Sequence, residues 1–128
     1  MAMADAFEYV KKVGLNDILQ HDRNLMRLVN QLLGNVNVIK IYGPSIECHT
    51  NIFAFNIENM DSAEIVMILD STNNIKVRSG HRCAQVNTNK VLGEAKGVVK
   101  VSTYFYNTER DITIFAKVVK DIVDTMVS

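Results

Sequence analysis

The sequence carries no surplus of charge, almost no proline, only two cysteines and no long apolar run. Its 14 basic residues balance 14 acidic ones, whereas nucleic-acid binders carry a basic surplus or stripe. Lys11-Lys12 is the only adjacent basic pair, so no nucleic acid and no anionic membrane is expected as a partner. No apolar stretch approaches the roughly 20 residues that cross a bilayer. The first residues, Met1 to Glu8, have neither the basic nor the apolar part of a secretory signal, and the expected location is cytoplasmic. Two cysteines, Cys48 and Cys83, are too few for a disulfide scaffold, which leaves thiol chemistry as their possible use. With one proline, Pro44, and no repeat, low-complexity stretch or linker, the 128 residues read as a single domain, 1–128.

What is present is hydrophobic patterning, at 48% apolar residues. Ala4 to Lys12 reads as a short helix ending near Gly14, and Asn16 as the N-cap of a second. There Leu15, Ile18, Leu19, Leu25, Leu28, Val29, Leu32 and Leu33 keep helical spacing, Asp22 interrupts the stripe, and Gly34-Asn35 stops it. Val36 to Tyr42 is rich in β-branched residues, and Gly43-Pro44-Ser45 signals a turn. Asn51 to Ile57 alternates, with Ile52, Ala54 and Asn56 on one face and Phe53, Phe55 and Ile57 on the other, so the two strands form an antiparallel pair. Asp61 and Glu64 open a helix to about Asp70, whose run Ile65 to Leu69 suggests burial on more than one side. Asn74 to Arg78 reads as a short strand and Val98 to Tyr106 as another. Thr108 with Asp111 caps a last helix marked by Ile112, Phe115, Val119, Ile122, Val123 and Met126. The fold class is α+β: two layers, a mostly antiparallel sheet of about three to four strands, with helices on one face.

Ser79 to Gly97 is long, polar and without period. Such loops inside a compact domain are often functional. It holds one thiol, Cys83, near Arg78, His81 and Arg82; positive neighbours favour the thiolate, which is the nucleophile. The alternatives are an ordinary loop cysteine and a hydrogen-bonding surface histidine. A metal reading would pool Cys48-His49 with His81 and Cys83, but that spacing matches no zinc pattern. Cys48 otherwise reads as a solvent-side loop thiol.

The segment Ile75-Lys76-Val77-Arg78-Ser79-Gly80-His81-Arg82-Cys83-Ala84-Gln85 resembles the active-cysteine loop of SufS/NifS-type, group II cysteine desulfurases of the class V aminotransferase family. Val98 to Glu109 resembles the same family's strand-to-helix passage. Ile41-Tyr42-Gly43-Pro44, Phe53-Ala54-Phe55-Asn56, Val13-Gly14-Leu15 and His21 to Leu25 resemble its other small-domain segments, in order along nearly the whole chain. The resemblance implies the C-terminal small domain of a fold-type I enzyme dependent on pyridoxal phosphate (PLP), with the cofactor-bearing large domain absent. It implies that Cys83 accepts sulfur from L-cysteine as a persulfide, that Arg78 and His81 shape the loop, and that Asn107 holds a sheet-to-helix corner. Lys100 stands where the family has an arginine that grips the substrate carboxylate; Arg82 replaces a histidine and Val86 a proline. The Schiff-base lysine motif and a phosphate cradle have no match here, so no cofactor is expected on this chain alone. The partners implied are a PLP-binding large domain or a second copy, together with a sulfur-acceptor protein of the kind serving iron–sulfur assembly. The alternative is a non-catalytic interaction module keeping the fold without turnover.

Overall fold

The computed structural model describes residues 1–45, 48, 50–81, 89–90, 93 and 96–127. Cys83, with Arg82 and Val86, lies outside the described residues, as does His49. In chain order the elements are α1 (Ala2–Val13), α2 (Leu15–Leu33), β1 (Ile39–Tyr42), β2 (Ile52–Ile57), α3 (Ser62–Asn73), β3 (Val99–Ser102) and α4 (Glu109–Val127). The α+β expectation holds. The sheet has three strands in the order β1-β2-β3, antiparallel throughout. No described helix is long and apolar enough to cross a membrane.

The alternation in β2 sets the two faces of the sheet. Side chains alternate across a strand, so Phe53, Phe55 and Ile57 point into the core with Ile39, Val99 and Val101, while Ala54, Asn56, Lys40 and Lys100 share the other face. Against the apolar face pack α2, through Leu25, Met26, Val29 and Leu33, α3, through Ile65 and Leu69, and α4, through Ile112, Phe115, Val119, Ile122 and Val123. Phe53, Phe55 and Phe115 form a ring trio at its centre, with centroids 5.9–6.1 Å apart.

The capping signals hold in part. Asp61 caps α3 by accepting from Ala63 N at 2.9 Å; that bond, more than the nearby Lys96, holds its carboxyl below the usual range. Thr108 and Asp111 bond each other's backbone N–H reciprocally, at 2.9 and 3.3 Å.

Four expectations are corrected. Gly14, not Asn16, caps α2: it ends α1 at φ +94° and its carbonyl accepts from Ile18 N, so two helices meet at one residue. The Asn74–Arg78 strand shrinks to a single bridge, Arg78 with Lys100. The donors before it are taken by the helix end, since Asn74 turns left-handed at φ +55° and Asn74 N and Ile75 N bond back to Asp70 and Leu69. Finally, α3 runs on to Asn73, and of its apolar run only Ile65 and Leu69 are buried while Met67 is exposed. Met126, expected on the buried stripe of α4, is also exposed.

Candidate functional site

Arg78 and Lys100 are brought together from 22 positions apart in sequence. Arg78 N donates to Lys100 O at 3.1 Å and Lys100 N to Arg78 O at 2.6 Å, and one step on Val98 N donates to Gly80 O at 3.2 Å. These bonds pair residues 78–80 with residues 98–100 in a two-limbed neck. Directly opposed residues of an antiparallel pair project from the same face. Arg78 and Lys100 are therefore two exposed cations on the face away from the core. Like charges in that position repel, and an anion placed between them removes the conflict.

His81 sits at the top of the neck, half-buried; its Nδ1 is buried and has no partner among the described residues. Gly97 has φ +85°, and a Cβ built on it would lie 2.5 Å from Gly80 Cα and 2.7 Å from Gly80 O. The missing side chain of Gly97 thus lets the two limbs of the neck touch backbone to backbone. Of the sequence-derived residues, the structure brings together Arg78 and Lys100, while His81 follows in sequence on the first limb. Cys48 lies apart on an exposed turn, with the Ser45 hydroxyl 3.7 Å from its Sγ. Among the described residues no cluster of three metal-ligating side chains exists. Asn107 forms the corner before α4: its side-chain oxygen accepts from Tyr104 N at 2.9 Å, and its carbonyl accepts from His21 Nε2 at 2.6 Å.

Asn56 and Ser62 escaped the sequence reading as site residues, although Asn56 stood on the polar side of an alternating strand. Both are buried, and both bond the returning limb of the neck. Asp22 also differs from expectation. It does not break the buried stripe of α2 but lies within it, 8% exposed between Ile18 and Leu25, with Oδ1 unpartnered among the described residues. Burial raises its pKa above the ordinary 3.8, opposed by the charge of His21. A raised carboxyl contributes stability below its unfolded pKa and loses it as pH rises through the folded value. Asp22→Leu is therefore expected to stabilise the fold at neutral pH by about 1–3 kcal/mol. That gain shrinks as pH falls towards and below 3.8. Urea melts at a series of pH values check it, and a gain independent of pH would contradict the assignment to the carboxylate.

A groove of about 670 Å³ opens beside β1 and the start of α3, with Lys40, Lys96, Glu58 and Asp61 among its lining. It does not fit PLP. Its helix N-terminus is already occupied by the Asp61 carboxylate, which also pairs with Lys96 at 3.5 Å, and the Lys40 ammonium lies 4.8 Å from the Tyr42 ring centroid. A phosphate placed there would meet an anion where it needs free N–H donors.

The chain is similar to known proteins in both sequence and fold. A probable cysteine desulfurase of Methanothermobacter thermautotrophicus is 29% identical over 123 residues, covering 95% of this chain and 30% of that protein. The cysteine desulfurase of Wigglesworthia glossinidia brevipalpis is 29% identical over 117 residues, covering 91% of this chain and 27% of that one. Among solved structures, the apo cysteine desulfurase of Thermococcus onnurineus NA1 superposes with a TM-score of 0.85 at 28% identity, over 92% of this chain and 29% of that chain. The Escherichia coli cysteine desulfurase CsdA shares the fold, with a TM-score of 0.81 at 21% identity. The chain thus spans under a third of the length of these relatives. The family model for aminotransferase class-V matches residues 1–115, and the chain belongs to that family.

Proposed function

We propose that the chain is the small-domain part of a SufS/NifS-type cysteine desulfurase, a single domain over residues 1–128 that presents Cys83 to a PLP-bearing large domain. In the net reaction the carbon–sulfur bond of L-cysteine breaks and a sulfur–sulfur bond forms on Cys83. The thiol becomes a persulfide and the amino acid leaves as alanine, so atoms balance without a further oxidant. The observation that carries the reading is the neck, which sets Arg78 and Lys100 side by side as a directly opposed pair. Two adjacent cations suit a substrate carboxylate, and positive charge near a thiol favours its nucleophilic form. Helix α1 supports a docking role: it buries none of its residues, and Met3, Phe7 and Tyr9 stand exposed. Apolar surface of that kind marks a contact, here with the large domain or a second copy. The sulfur would pass to an acceptor protein in the cytoplasm, for iron–sulfur assembly. Lys100 favours a second reading, a non-catalytic interaction module, because lysine lacks the two-pronged fork by which arginine holds a carboxylate.

The test is to isolate the tagged chain from its own cells and assay the eluate for a yellow PLP protein and for cysteine-dependent sulfide. A coloured partner is expected, with sulfide release falling to background when Cys83→Ser replaces the native chain. A colourless eluate without sulfide would overturn the proposal in favour of the interaction module.

A further inference from the structure

Helices α3 and α4 pack on the same face of the sheet, and a groove of about 380 Å³ opens between them. Its floor is apolar: Val118 and Ile122 are buried there, Ile68 is half-buried and Met126 is 42% exposed. Each helix adds one carboxylate, Glu64 from α3 and Asp121 from α4, and no lysine, arginine or histidine lines the groove. Other acids of these helices and their caps are engaged. Asp61 pairs with Lys96, Asp70 with Lys76, and Asp111 accepts from Thr108 N. The carboxylates of Glu64 and Asp121 have no hydrogen-bond or ion-pair partner among the described residues, although Lys117 stands one turn before Asp121. Glu64 occupies the third position of α3, where a capping box would turn its carboxylate back to Asp61 N. That bond is not made, and Asp61 alone caps the helix.

Two uncompensated negative charges beside apolar surface define what fits there: apolar side chains for the floor and cations for the two flanks. The length narrows it further. From Val118 to Met126 the α4 wall runs about 12 Å, a little over two turns, and from Glu64 to Thr72 the α3 wall does the same. A helix laid in such a groove offers side chains at i, i+3, i+4 and i+7 over that length. The exposed α1 of a second copy lacks the charge, since Asp5 and Glu8 offset Lys11 and Lys12. We infer that the α3–α4 groove docks an amphipathic helix of another protein, its apolar stripe flanked by lysine or arginine. The inference goes beyond the proposed function and uses neither the cysteines, the neck nor α1.

The experiment uses the full chain and two synthetic helical peptides with the same leucine stripe, one flanked by lysine and its twin by glutamate. Fluorescence anisotropy at low and at raised salt gives their affinities. The lysine peptide is expected to bind, more weakly at raised salt, and to be preferred over its twin. Glu64→Gln combined with Asp121→Gln should weaken it about fivefold or more, as loss of two exposed ion pairs allows. Glu64→Lys combined with Asp121→Lys should invert the preference in favour of the glutamate peptide. Met126→Gln, at an exposed position, should weaken the lysine peptide without changing the preference. Circular dichroism checks that each variant is folded; if the lysine double variant is not, the glutamine pair decides. Equal binding of both peptides, or lysine-peptide binding that the charge variants leave unchanged, would overturn the inference. So would self-association in light scattering that Met126→Gln abolishes, because the groove would then hold a second copy.

Discussion

Phe55→Ala is expected to cost about 3–5 kcal/mol of folding stability, the range for deleting a fully buried aromatic ring. Phe55 has no exposed surface and sits between Phe53 and Phe115, making an edge contact with Phe115 at 5.9 Å between centroids. Its strand neighbours Ile41 and Val99 come from both flanking strands, so no single element can move in to fill the space. A domain of this size has about 5–15 kcal/mol in total. The variant should therefore unfold at a much lower urea concentration, with an unchanged slope if the denatured state is the same. Phe7→Ala, at an exposed ring on α1, serves as the contrast and should fall within about 0.5 kcal/mol of the unaltered chain. A loss below about 1 kcal/mol at Phe55 would mean that the ring trio is not the centre of the core.

The same strand shows what was readable in the sequence. Alternation from Ile52 to Ile57 separates a phenylalanine face from a face carrying Ala54 and Asn56, and the structure keeps that division because α2, α3 and α4 all pack on the phenylalanine face. Asp61 and the Thr108–Asp111 pair were legible for a similar reason: a capping side chain acts on a backbone group two or three residues away. Local chemistry of that kind needs no knowledge of the fold.

The misses arise where neighbouring elements compete for the same backbone groups, or where partners are distant in sequence. Asn74 to Arg78 has strand composition, yet a strand needs free donors and a neighbour, and the end of α3 uses the first two donors. Asn16 is a good cap residue by type, but Gly14 could already turn the chain at positive φ and left nothing for a second cap to do. Asp22 looked like a break in an apolar stripe because a carboxyl is seldom buried; its place is set by the helix period, not by its polarity. For the site, the motif at residues 78–83 named the chemistry-bearing side chains. It could not show that Lys100 would face Arg78, nor that Asn56 and Ser62 would hold the far limb, since those contacts join segments up to 43 residues apart.

Gly97→Ala tests that far limb most severely, with an expected loss of about 2–5 kcal/mol from left-handed backbone strain and overpacking together. The two contributions separate by comparison with Gly80→Ala. Gly80 also has a positive φ, +97°, but a Cβ there meets nothing within 4 Å, whereas at Gly97 it runs into the Gly80 backbone. The difference between the two variants is therefore the overpacking of the neck, about 1–3 kcal/mol. If both cost the same, the glycine backbones are not in contact and the neck is looser than its hydrogen bonds imply. If Gly97→Ala costs more, the closeness of the two limbs is real. The alanine methyl would then push residues 78–80 away from residues 97–100, breaking the bond from Val98 N to Gly80 O and separating Arg78 from Lys100. Under the proposed function, in which Cys83 is an activated thiol expected to alkylate faster than the exposed Cys48, that variant should also lose this advantage at temperatures where it remains folded. Gly80→Ala, whose methyl points into open space, should keep it.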